Sequence, residues 1–598
     1  MVATAGHVDH GKSTLIRALT GMEPDRWEEE RRRGLTIDLG FAWTTLPSGR
    51  EVSFVDVPGH QRFLANTLAG LGPAPVICFV VAADEGWQEQ SGDHRDAIAA
   101  LDIRHGLLVI TKADRASARA DAVVARAREE LAETGLHDAP AVVVSASTGD
   151  GLAELRDALD NVLARVPPPA THARLRLWVD RSFTITGAGT IVTGTLTSGT
   201  VSRGDVLQLF GIDRIRAVTV RGLQSHGEFR AGLVPVTRVA LNLRAIPHED
   251  VHRGDALLTP DVWLSTRTVD VRRTTGDPLT KVPTQLFAHI GTSAVPARLR
   301  TFDDDHTRLV LDRPLPLMLG DRLVLRDPGS RRIVGGAQVL DADPPALRRR
   351  GDGARRAASL AEMHSGGDVS VEVARRGAVE ETRLRRLGLV GEDGVPPKEV
   401  RILGAWWVHQ PTFEAWAQRL HTAVRELSQR DPLAGGLSRG AAADLLAVPD
   451  VILLDAVVRE AGLEQAGGQI RLPGARPDLG PAEAAISELE SRLTSAPFHA
   501  PEAYDLQSLS LGARELAAAE RAGRLVRLRD GVVLLPTAPS LAMRALSQLE
   551  QPFTTSQARQ VLNTTRRVVI PLLEHLDARG WTRRIDAGHR EVVRRDRT

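Results

Sequence analysis

The 598-residue chain has almost no cysteine and no long apolar segment. Its single cysteine, Cys78, lies in the apolar run 76–83, where the expected role is that of a buried strand residue. One cysteine excludes disulfide bonds within the chain and metal sites built from cysteines. No apolar run approaches the roughly 20 residues that span a membrane, and a removable signal peptide would take the first motif of the chain with it. We therefore expect a cytoplasmic protein with no membrane partner.

The chain also lacks a strong net charge, but the value of +1 hides an uneven distribution. Residues 541–598 contain 11 arginines against 6 acidic residues, a local charge of +5. A basic C-terminal segment favours nucleic acid as a partner. The chain is too long for one hydrophobic core, and at roughly 150 residues per domain it predicts about four globular units or more.

The first motif is G-x-x-x-x-G-K-S over residues 6–13, directly after the short apolar run 1–5. This spacing predicts a phosphate loop that leads into a helix at Lys12. Backbone N–H groups of such a loop turn toward the β-phosphate, Lys12 reaches the β- and γ-phosphates, and Ser13 can ligate Mg²⁺. The motif alone leaves a chance match or a general ATPase open.

Four later positions have the chemistry of a nucleotide switch. A hydroxyl on a movable loop, that of Thr36, can bind Mg²⁺ and the γ-phosphate only while that phosphate exists. Asp56 ends the predicted strand 51–55 and can hold a water on the same metal ion. The Gly59 N–H can meet the γ-phosphate, and His60 can orient the attacking water. An aspartate in a turn and a surface histidine are the structural alternatives, but order and spacing together favour the switch.

Two further strand ends predict the base that is bound. A carboxylate at Asp114, in the run TKAD after the apolar strand 106–110, can accept hydrogen bonds from guanine N1–H and the 2-amino group. Adenine lacks this pair of donors, so Asp114 favours GTP over ATP. Ser145-Ala146 follows another apolar run and supplies a backbone contact to the guanine oxygen. The alternation of strands and helices predicts a doubly wound α/β sheet with the nucleotide at the carboxyl ends of its strands.

The motifs GHVDHGKS, RGLTID, DVPGH and TKAD closely resemble those of the translational GTPases, the class that includes elongation factor Tu. The resemblance covers residues 1–160 and implies that Val8 and Leu35 form an apolar gate beside a catalytic His60. Thr111 departs from the pattern, because most of these GTPases have an asparagine whose amide braces the loop. The residues expected to bind nucleotide are Asp9, His10, Gly11, Lys12, Ser13, Thr14, Gly59, Thr111, Lys112, Asp114, Ser145 and Ala146, with Ser13, Thr36 and (through water) Asp56 at the metal.

A proline run at 167–169 predicts an extended linker after this domain. Beyond it, short β-branched runs broken by glycine, such as 174–179 and 190–195, predict two antiparallel β-barrels. Both fit the second and third domains of elongation factors, which grip the acceptor arm of an aminoacyl-tRNA.

Residues 179–183 and 237–242 resemble one subfamily, the selenocysteine-specific elongation factors (SelB). This resemblance implies an aminoacyl pocket at Asp180, Arg181 and Arg238. Positive side chains suit that cargo, because a selenol is ionised at neutral pH whereas serine and cysteine side chains are mostly neutral. The alternative is that these arginines pair with neighbouring acids on the barrel surface.

About 250 residues follow the barrels. Arginines around Gly351 predict a solvated linker, with a nonspecific RNA contact as the less favoured alternative. After them, a pattern of two helices and a hairpin repeats about every 60 residues. The hairpins are expected at 464–472, 525–535 and 581–593, and a less regular copy precedes them. This repeat predicts four tandem winged helices.

The last copy concentrates arginine. Arg566 and Arg567 open its predicted recognition helix, while Arg583 and Arg584 lie on the wing. Cations on two adjoining ridges can clamp a phosphate backbone, and an RNA stem-loop would be recognised by its shape and unpaired bases. Pro571 must fall near the first turn or kink the helix. This stretch resembles the last winged helix of bacterial SelB, although ordinary solvated arginines are the alternative. The apolar stripe expected to face the core is Val569, Leu572, Leu573 and Leu576.

The predicted fold class is multidomain: an α/β P-loop GTPase domain, two antiparallel β-barrels and tandem winged-helix (α+β) domains. The predicted boundaries are 1–170 for the GTP-binding domain, 171–260 and 261–345 for the barrels, and 346–408, 409–475, 476–540 and 541–598 for the winged helices.

The family resemblance implies a GTPase that binds GTP or GDP with Mg²⁺, and we expect a monomer. It would deliver selenocysteyl-tRNA to the ribosome at UGA codons marked by an mRNA hairpin, the SECIS element. The alternative is a winged-helix nucleic-acid regulator switched by GTP, which would bind duplex DNA through the major groove. The barrels have no evident role in such a regulator, and the tail disfavours a general elongation or initiation factor.

Overall fold

A computed structural model describes residues 1–24, 36–187, 189–212, 214–244, 246–364, 366–391, 394–474 and 479–593. The chain divides into two compact units, residues 1–372 with 379–397 and residues 373–378 with 398–598. In these ranges no helix is long and apolar enough to cross a bilayer.

The first unit begins with an α/β domain whose sheet has the order β2-β3-β1-β4-β5-β6. Only β2 runs antiparallel to its neighbour. Its strands are β1 (Val2–Ala5), β2 (Gly40–Thr45), β3 (Glu51–Asp56), β4 (Val76–Ala82), β5 (His105–Thr111) and β6 (Ala141–Val143). Its α-helices are α1 (Lys12–Thr20), α2 (Leu64–Leu71), α3 (Glu89–Leu101), α4 (Ala113–Ala116), α5 (Ala120–Leu131) and α6 (Leu152–Arg165).

Alternate residues of the central strands pack into two separate cores, one on each face of this sheet. Strand β4 is buried along its whole length, because helices cover both faces of a largely parallel sheet. Cys78 lies within it as predicted, and burial raises the pKa of its thiol to about 12.

The two predicted barrels follow in the same unit. In the first, six strands close in the order β10-β15-β7-β8-β14-β11, and β10 pairs with β11. The second closes in the order β16-β19-β18-β17-β20-β21. The strands of the first barrel region are β7 (Arg176–Ile185), β8 (Gly189–Leu196), β9 (Val201–Ser202), β10 (Val206–Phe210), β11 (Ile215–Ser225), β12 (Glu228–Arg230), β13 (Gly232–Leu233), β14 (Thr237–Arg244) and β15 (Ala256–Leu258). Those of the second are β16 (Ser265–Gly276), β17 (Gln285–Ile290), β18 (Ser293–Thr301), β19 (His306–Pro316), β20 (Arg322–Arg326) and β21 (Ile333–Asp341).

The segment after the second barrel begins with helix α7 (Asp352–Glu362), and here one prediction is wrong. Arg356 is not part of a solvated linker, because it is 5% exposed and pairs with two buried carboxylates of the barrel. Its Nε lies 2.7 Å from Asp270 and its Nη2 lies 2.5 Å from Asp341. Further elements here are α8 (Val369–Arg376), β22 (Ala378–Glu380), α9 (Glu381–Leu387), β23 (Val400–Leu403) and β24 (Trp406–His409).

The second unit contains the three later repeats. The predicted hairpins are present as β26 with β27, β28 with β29 and β31 with β32. Its helices are α10 (Gln410–Arg430), α11 (Arg439–Leu446), α12 (Val451–Glu460), α13 (Glu483–Ser495), α14 (Ala503–Ser508), α15 (Ala513–Arg521), α16 (Ala538–Leu546), α17 (Thr555–Val561) and α18 (Arg566–Ala578). Its strands, after the β23–β24 hairpin, are β25 (Leu437–Ser438), β26 (Glu464–Ala466), β27 (Gln469–Arg471), β28 (Val526–Arg527), β29 (Val533–Leu534), β30 (Phe553–Thr554), β31 (Thr582–Arg584) and β32 (His589–Val592).

The last repeat has the form expected of a winged helix, with α18 after a short helix and a three-stranded sheet in the order β30-β32-β31. The predicted apolar stripe of α18 is buried. Pro571 lies in the second turn of α18 rather than the first, and its ring is packed in the core with the stripe.

Candidate functional site

The phosphate loop leads into α1 at Lys12, as predicted. Three of its residues have positive φ, with values of 131° at Gly6, 65° at Asp9 and 84° at Gly11, and this turns successive N–H groups toward one side of the loop. The buried Lys12 ammonium donates to the carbonyl oxygens of Gly6 (3.0 Å) and His7 (2.7 Å). The lysine side chain is thus held inside the loop, beside the phosphates that it is predicted to contact.

The three residues predicted at the metal lie together. Ser13 Oγ donates to Asp56 Oδ2 at 2.6 Å and lies 3.2 Å from Thr36 Oγ1. The other Asp56 oxygen accepts a hydrogen bond from Thr4 at 2.7 Å, which orients the buried carboxylate. Hydroxyl and carboxylate oxygens are the ligands that Mg²⁺ prefers, so this donor set fits the ion.

Gly59 packs directly on the phosphate loop. A Cβ atom at this position would lie 2.5 Å from Val8 N and 2.7 Å from Lys12 Nζ, so a larger residue would displace the loop. The neighbouring His60 is half-buried, and its Nδ1 accepts a hydrogen bond from the Arg62 N–H at 3.1 Å. Val8 is half-buried, whereas Leu35 lies outside the described residues, so the apolar gate stays a prediction.

At the guanine end, Asp114 Oδ1 accepts a hydrogen bond from Ser145 Oγ at 2.7 Å. This hydrogen bond lowers the pKa of the Asp114 carboxyl, which favours the anion that guanine recognition requires. The Ala113 N–H also donates to the Val144 carbonyl at 3.2 Å. The two base-contacting segments of the sequence prediction are therefore linked to each other.

Thr111 compensates for the missing asparagine. Its Oγ1 donates to the His10 carbonyl of the phosphate loop at 2.6 Å, and both residues are buried. The shorter side chain therefore braces the loop itself, which the sequence comparison with other GTPases did not anticipate.

Helix α3 supplies two contacts that the motifs did not predict. Buried His94 accepts the Gly6 N–H at Nδ1 (2.9 Å), and Gln90 accepts the Val8 N–H (3.3 Å). Burial lowers the pKa of His94 to about 3. Between about pH 6.5 and pH 3 the unfolded chain therefore binds a proton at His94 that the folded chain does not. The stability that depends on a neutral His94 is complete above pH 6.5 and is lost as the pH falls. The four-residue spacing of the two acceptors was the one available sequence signal.

Replacing His94 with alanine is expected to speed GDP release about tenfold, because the Gly6 N–H is left buried without its acceptor. Asparagine should restore slow release, since its Oδ1 takes the place of Nδ1, whereas glutamine should not. Stopped-flow dissociation of a fluorescent guanine nucleotide measures the rates. His137→Ala is the control. In the part of the chain that the structure describes, the one hydrogen bond of the His137 side chain is to the nearby Thr134 carbonyl, at 3.2 Å. Equal rates for the alanine and asparagine variants would contradict the assignment.

The three residues predicted for the aminoacyl pocket lie where the first barrel meets the GTPase domain. Asp180 accepts from Arg238 Nη2 at 2.9 Å and from Thr193 at 2.6 Å. Burial alone would raise the pKa of Asp180, but the ion pair with Arg238 outweighs it and the pKa falls below its ordinary value. Arg181 Nη2 lies 2.9 Å from Asp38 Oδ2. Both arginines thus have carboxylate partners, and one of these partners comes from the other domain.

The four arginines predicted to bind RNA differ in their surroundings. Arg566 is exposed at the start of α18, which packs against β31. Arg583 and Arg584 are exposed on that strand, and Arg583 Nε lies 3.0 Å from Glu591. Arg567 instead donates to the carbonyls of residues 500 and 501, at 3.1 and 3.0 Å. Its guanidinium therefore fastens α18 to the preceding repeat.

Four family models match parts of the chain. The elongation factor Tu GTP binding domain matches residues 1–165, and elongation factor Tu domain 2 matches residues 189–258. The beta-barrel domain of the selenocysteine-specific elongation factor matches residues 266–346. The winged helix of elongation factor SelB matches residues 544–590.

Individual relatives agree with these models. The selenocysteine-specific elongation factor of Escherichia coli is 38% identical over 382 residues, an alignment that spans 63% of this chain and 61% of that protein. The selenocysteine-specific elongation factor of Desulfomicrobium baculatum is 29% identical over 100% of this chain and 99% of that protein. A crystal structure of a bacterial selenocysteine-specific elongation factor, EF-Sec, has a TM-score of 0.71 at 27% identity and covers 99% of both chains.

The guanine-nucleotide site and the two closed barrels that follow it define a translational GTPase. The SelB family models that match the second barrel and the last winged helix indicate one subfamily within this class. The chain belongs to the selenocysteine-specific elongation factor (SelB) family.

Proposed function

We propose that this protein, with GTP bound, carries selenocysteyl-tRNA to the ribosome at UGA codons that an mRNA hairpin marks. The observation that carries the proposal is the cluster of Arg181, Arg238 and Asp180, which lies on the first barrel beside the GTPase domain. An ionised selenol needs a cationic pocket, and the relatives are named for selenocysteine. Because its partner is the ribosome, the protein acts in the cytoplasm, and we expect a monomer.

In the GTPase step, Lys12 and the N–H groups of the phosphate loop stabilise charge on the transferred phosphoryl group. Ser13 and Thr36 would hold Mg²⁺ directly and Asp56 would hold it through water, and the clustering of their oxygens supports these roles. Bound Mg²⁺ neutralises charge on the β- and γ-phosphate oxygens. His60 orients the attacking water when the ribosome positions its ring.

The cargo is held by charge rather than by shape alone. Arg238 is fixed by Asp180 and stacks on Phe41, with its guanidinium carbon 3.9 Å from the ring centroid. A guanidinium held in this way loses little rotational freedom when it binds an anion. A serine side chain carries no charge, so it gains much less from the same contacts.

The last winged helix binds the messenger hairpin in this proposal. Arg566, Arg583 and Arg584 are exposed and contact phosphates, while Arg567 keeps α18 in position for them. Since A-form RNA has a major groove too narrow for a helix, recognition relies on backbone shape and unpaired bases.

Protection of the ester bond of selenocysteyl-tRNA against hydrolysis tests the proposal. With GTP, wild-type protein is expected to protect selenocysteyl-tRNA more strongly than seryl-tRNA on the same tRNA body. The double variant Arg181→Ala plus Arg238→Ala should lose that preference. Arg216→Ala plus Arg230→Ala is the matched control, because these arginines of the same barrel pair with Asp250 and Glu228.

Each result of this experiment has a separate meaning. Equal protection of both tRNAs by the wild type would leave a tRNA-binding GTPase but contradict the selenolate pocket. No protection of either tRNA would favour the nucleic-acid regulator.

A further inference from the structure

A short segment of the GTPase domain, residues 36–39, connects the nucleotide site with the aminoacyl pocket. At one end, Thr36 Oγ1 lies 3.2 Å from Ser13 Oγ, among the oxygens that fit Mg²⁺. At the other end, Asp38 Oδ2 lies 2.9 Å from Arg181 Nη2, and the Leu39 carbonyl accepts from the same nitrogen at 2.7 Å. Only one residue separates the predicted metal ligand from the carboxylate that contacts the pocket.

These contacts orient Arg181 without using all of its donors. Both involve Nη2, and across the described ranges no hydrogen bond of Nη1 or Nε is found. The side chains of Arg181 and Asp38 are 22% and 24% exposed, so water screens the pair only partly. Because the guanidinium is a rigid planar fork, two acceptors on one nitrogen fix the direction of the remaining N–H groups.

Neighbouring contacts hold the segment on the barrel and balance its charge. Arg253 Nη1 lies 3.9 Å from Asp38 Oδ1, so the carboxylate faces two cations and repels an incoming anion less. Two residues after the segment, the Phe41 ring lies under the Arg238 guanidinium. A movement of residues 36–39 therefore changes the surroundings of both pocket arginines.

We propose that Asp38 is a positioning residue that makes recognition of the anionic aminoacyl group depend on GTP. With GTP, Thr36 is held at the γ-phosphate, residues 36–39 dock on the barrel, and Asp38 directs Arg181 toward the aminoacyl side chain. With GDP the segment loses that anchor and Arg181 loses its orientation. Since coupling is reciprocal, the bound aminoacyl anion stabilises GTP by the same factor. This inference rests on the carrier function proposed above.

The test is the affinity of Asp38→Asn for selenocysteyl-tRNA, measured with a non-hydrolysable GTP analogue and with GDP. Asparagine keeps the size of the side chain and removes its charge. We expect affinity with the GTP analogue to fall about tenfold and affinity with GDP to change little, so that the ratio of the two affinities shrinks. Affinity for seryl-tRNA on the same tRNA body should be unchanged with either nucleotide.

Asp102→Asn is the matched control. Asp102 also pairs with a barrel arginine, Arg322, at 2.5 Å, and both side chains are 27% exposed. That pair joins the GTPase domain to the second barrel and does not touch residues 36–39, so its removal should leave the affinity ratio unchanged. In a double-mutant cycle, Asp38→Asn should cause no further loss once Arg181→Ala is present.

Two results would overturn the coupling and leave the carrier function intact. One is an equal loss of affinity with both nucleotides in Asp38→Asn, and the other is full additivity with Arg181→Ala. If wild-type protein bound selenocysteyl-tRNA equally with GTP and GDP, or not at all, the proposed function itself would fail.

Discussion

Asp114→Asn is expected to lower the affinity for GTP about 10⁴-fold and to create affinity for xanthosine triphosphate. The Asp114 carboxylate is oriented by Ser145 and is exposed at the end of the loop, where it can accept from N1–H and the 2-amino group of guanine. An asparagine amide offers a donor in place of one acceptor, so it opposes the guanine donors and suits the 2-oxo group of xanthine.

Equilibrium titration with both nucleotides measures this exchange of specificity. Asp150→Asn is a suitable control, since this carboxylate of the neighbouring loop accepts from Thr148 at 2.7 Å and is not predicted to contact the base. Retention of tight GTP binding by Asp114→Asn would show that the base is recognised elsewhere.

His60→Ala is expected to slow ribosome-stimulated GTP hydrolysis about 10³-fold while leaving nucleotide binding intact. The Nδ1 of His60 accepts the Arg62 N–H, so the neutral ring carries its proton on Nε2. This arrangement leaves Nε2 as the ring nitrogen that can contact the attacking water. Single-turnover phosphate release on ribosomes with a UGA codon in the decoding site measures the step.

Two other variants separate chemistry from binding in this measurement. Lys12→Ala should lose nucleotide binding altogether, because its ammonium group is held within the phosphate loop. His60→Gln should retain part of the rate, since glutamine orients the water in other GTPases. Stimulated hydrolysis at the wild-type rate in His60→Ala would contradict a role for the histidine in catalysis.

Local motifs predicted the backbone geometry around the candidate nucleotide site. The helix that starts at Lys12, the left-handed conformation of Gly11 and the position of Asp56 at the end of β3 all depend on backbone geometry over a few residues. Short β-branched runs broken by glycine likewise predicted the barrels, and a repeat of two helices and a hairpin predicted the hairpins of the tail, because strand and turn patterns are short-range. Which residues bind nucleotide, tRNA or RNA remains a set of predictions.

Contacts between distant parts of the chain could not be predicted in the same way. Thr111 departs from the motif of related GTPases, yet it braces the phosphate loop from 101 positions away. The sequence places Arg567 on the predicted RNA-binding helix and Arg356 in a predicted linker, and the structure shows each guanidinium contacting a different element of the fold. The sequence alone does not show which residue an arginine contacts, since spacing along the chain does not give the distance in space between two elements.

By itself, the sequence determined the order of the domains, the phosphate loop, the preference for guanine and the basic character of the last winged helix. These features follow from residue type and local spacing. Only the tertiary structure decided that His94 supports Gly6 and that Asp38 holds Arg181, because these pairs are 88 and 143 residues apart and meet through packing. The physical reason is that a hydrogen bond or ion pair acts over a few ångströms in space, and the fold alone sets which distant residues come that close.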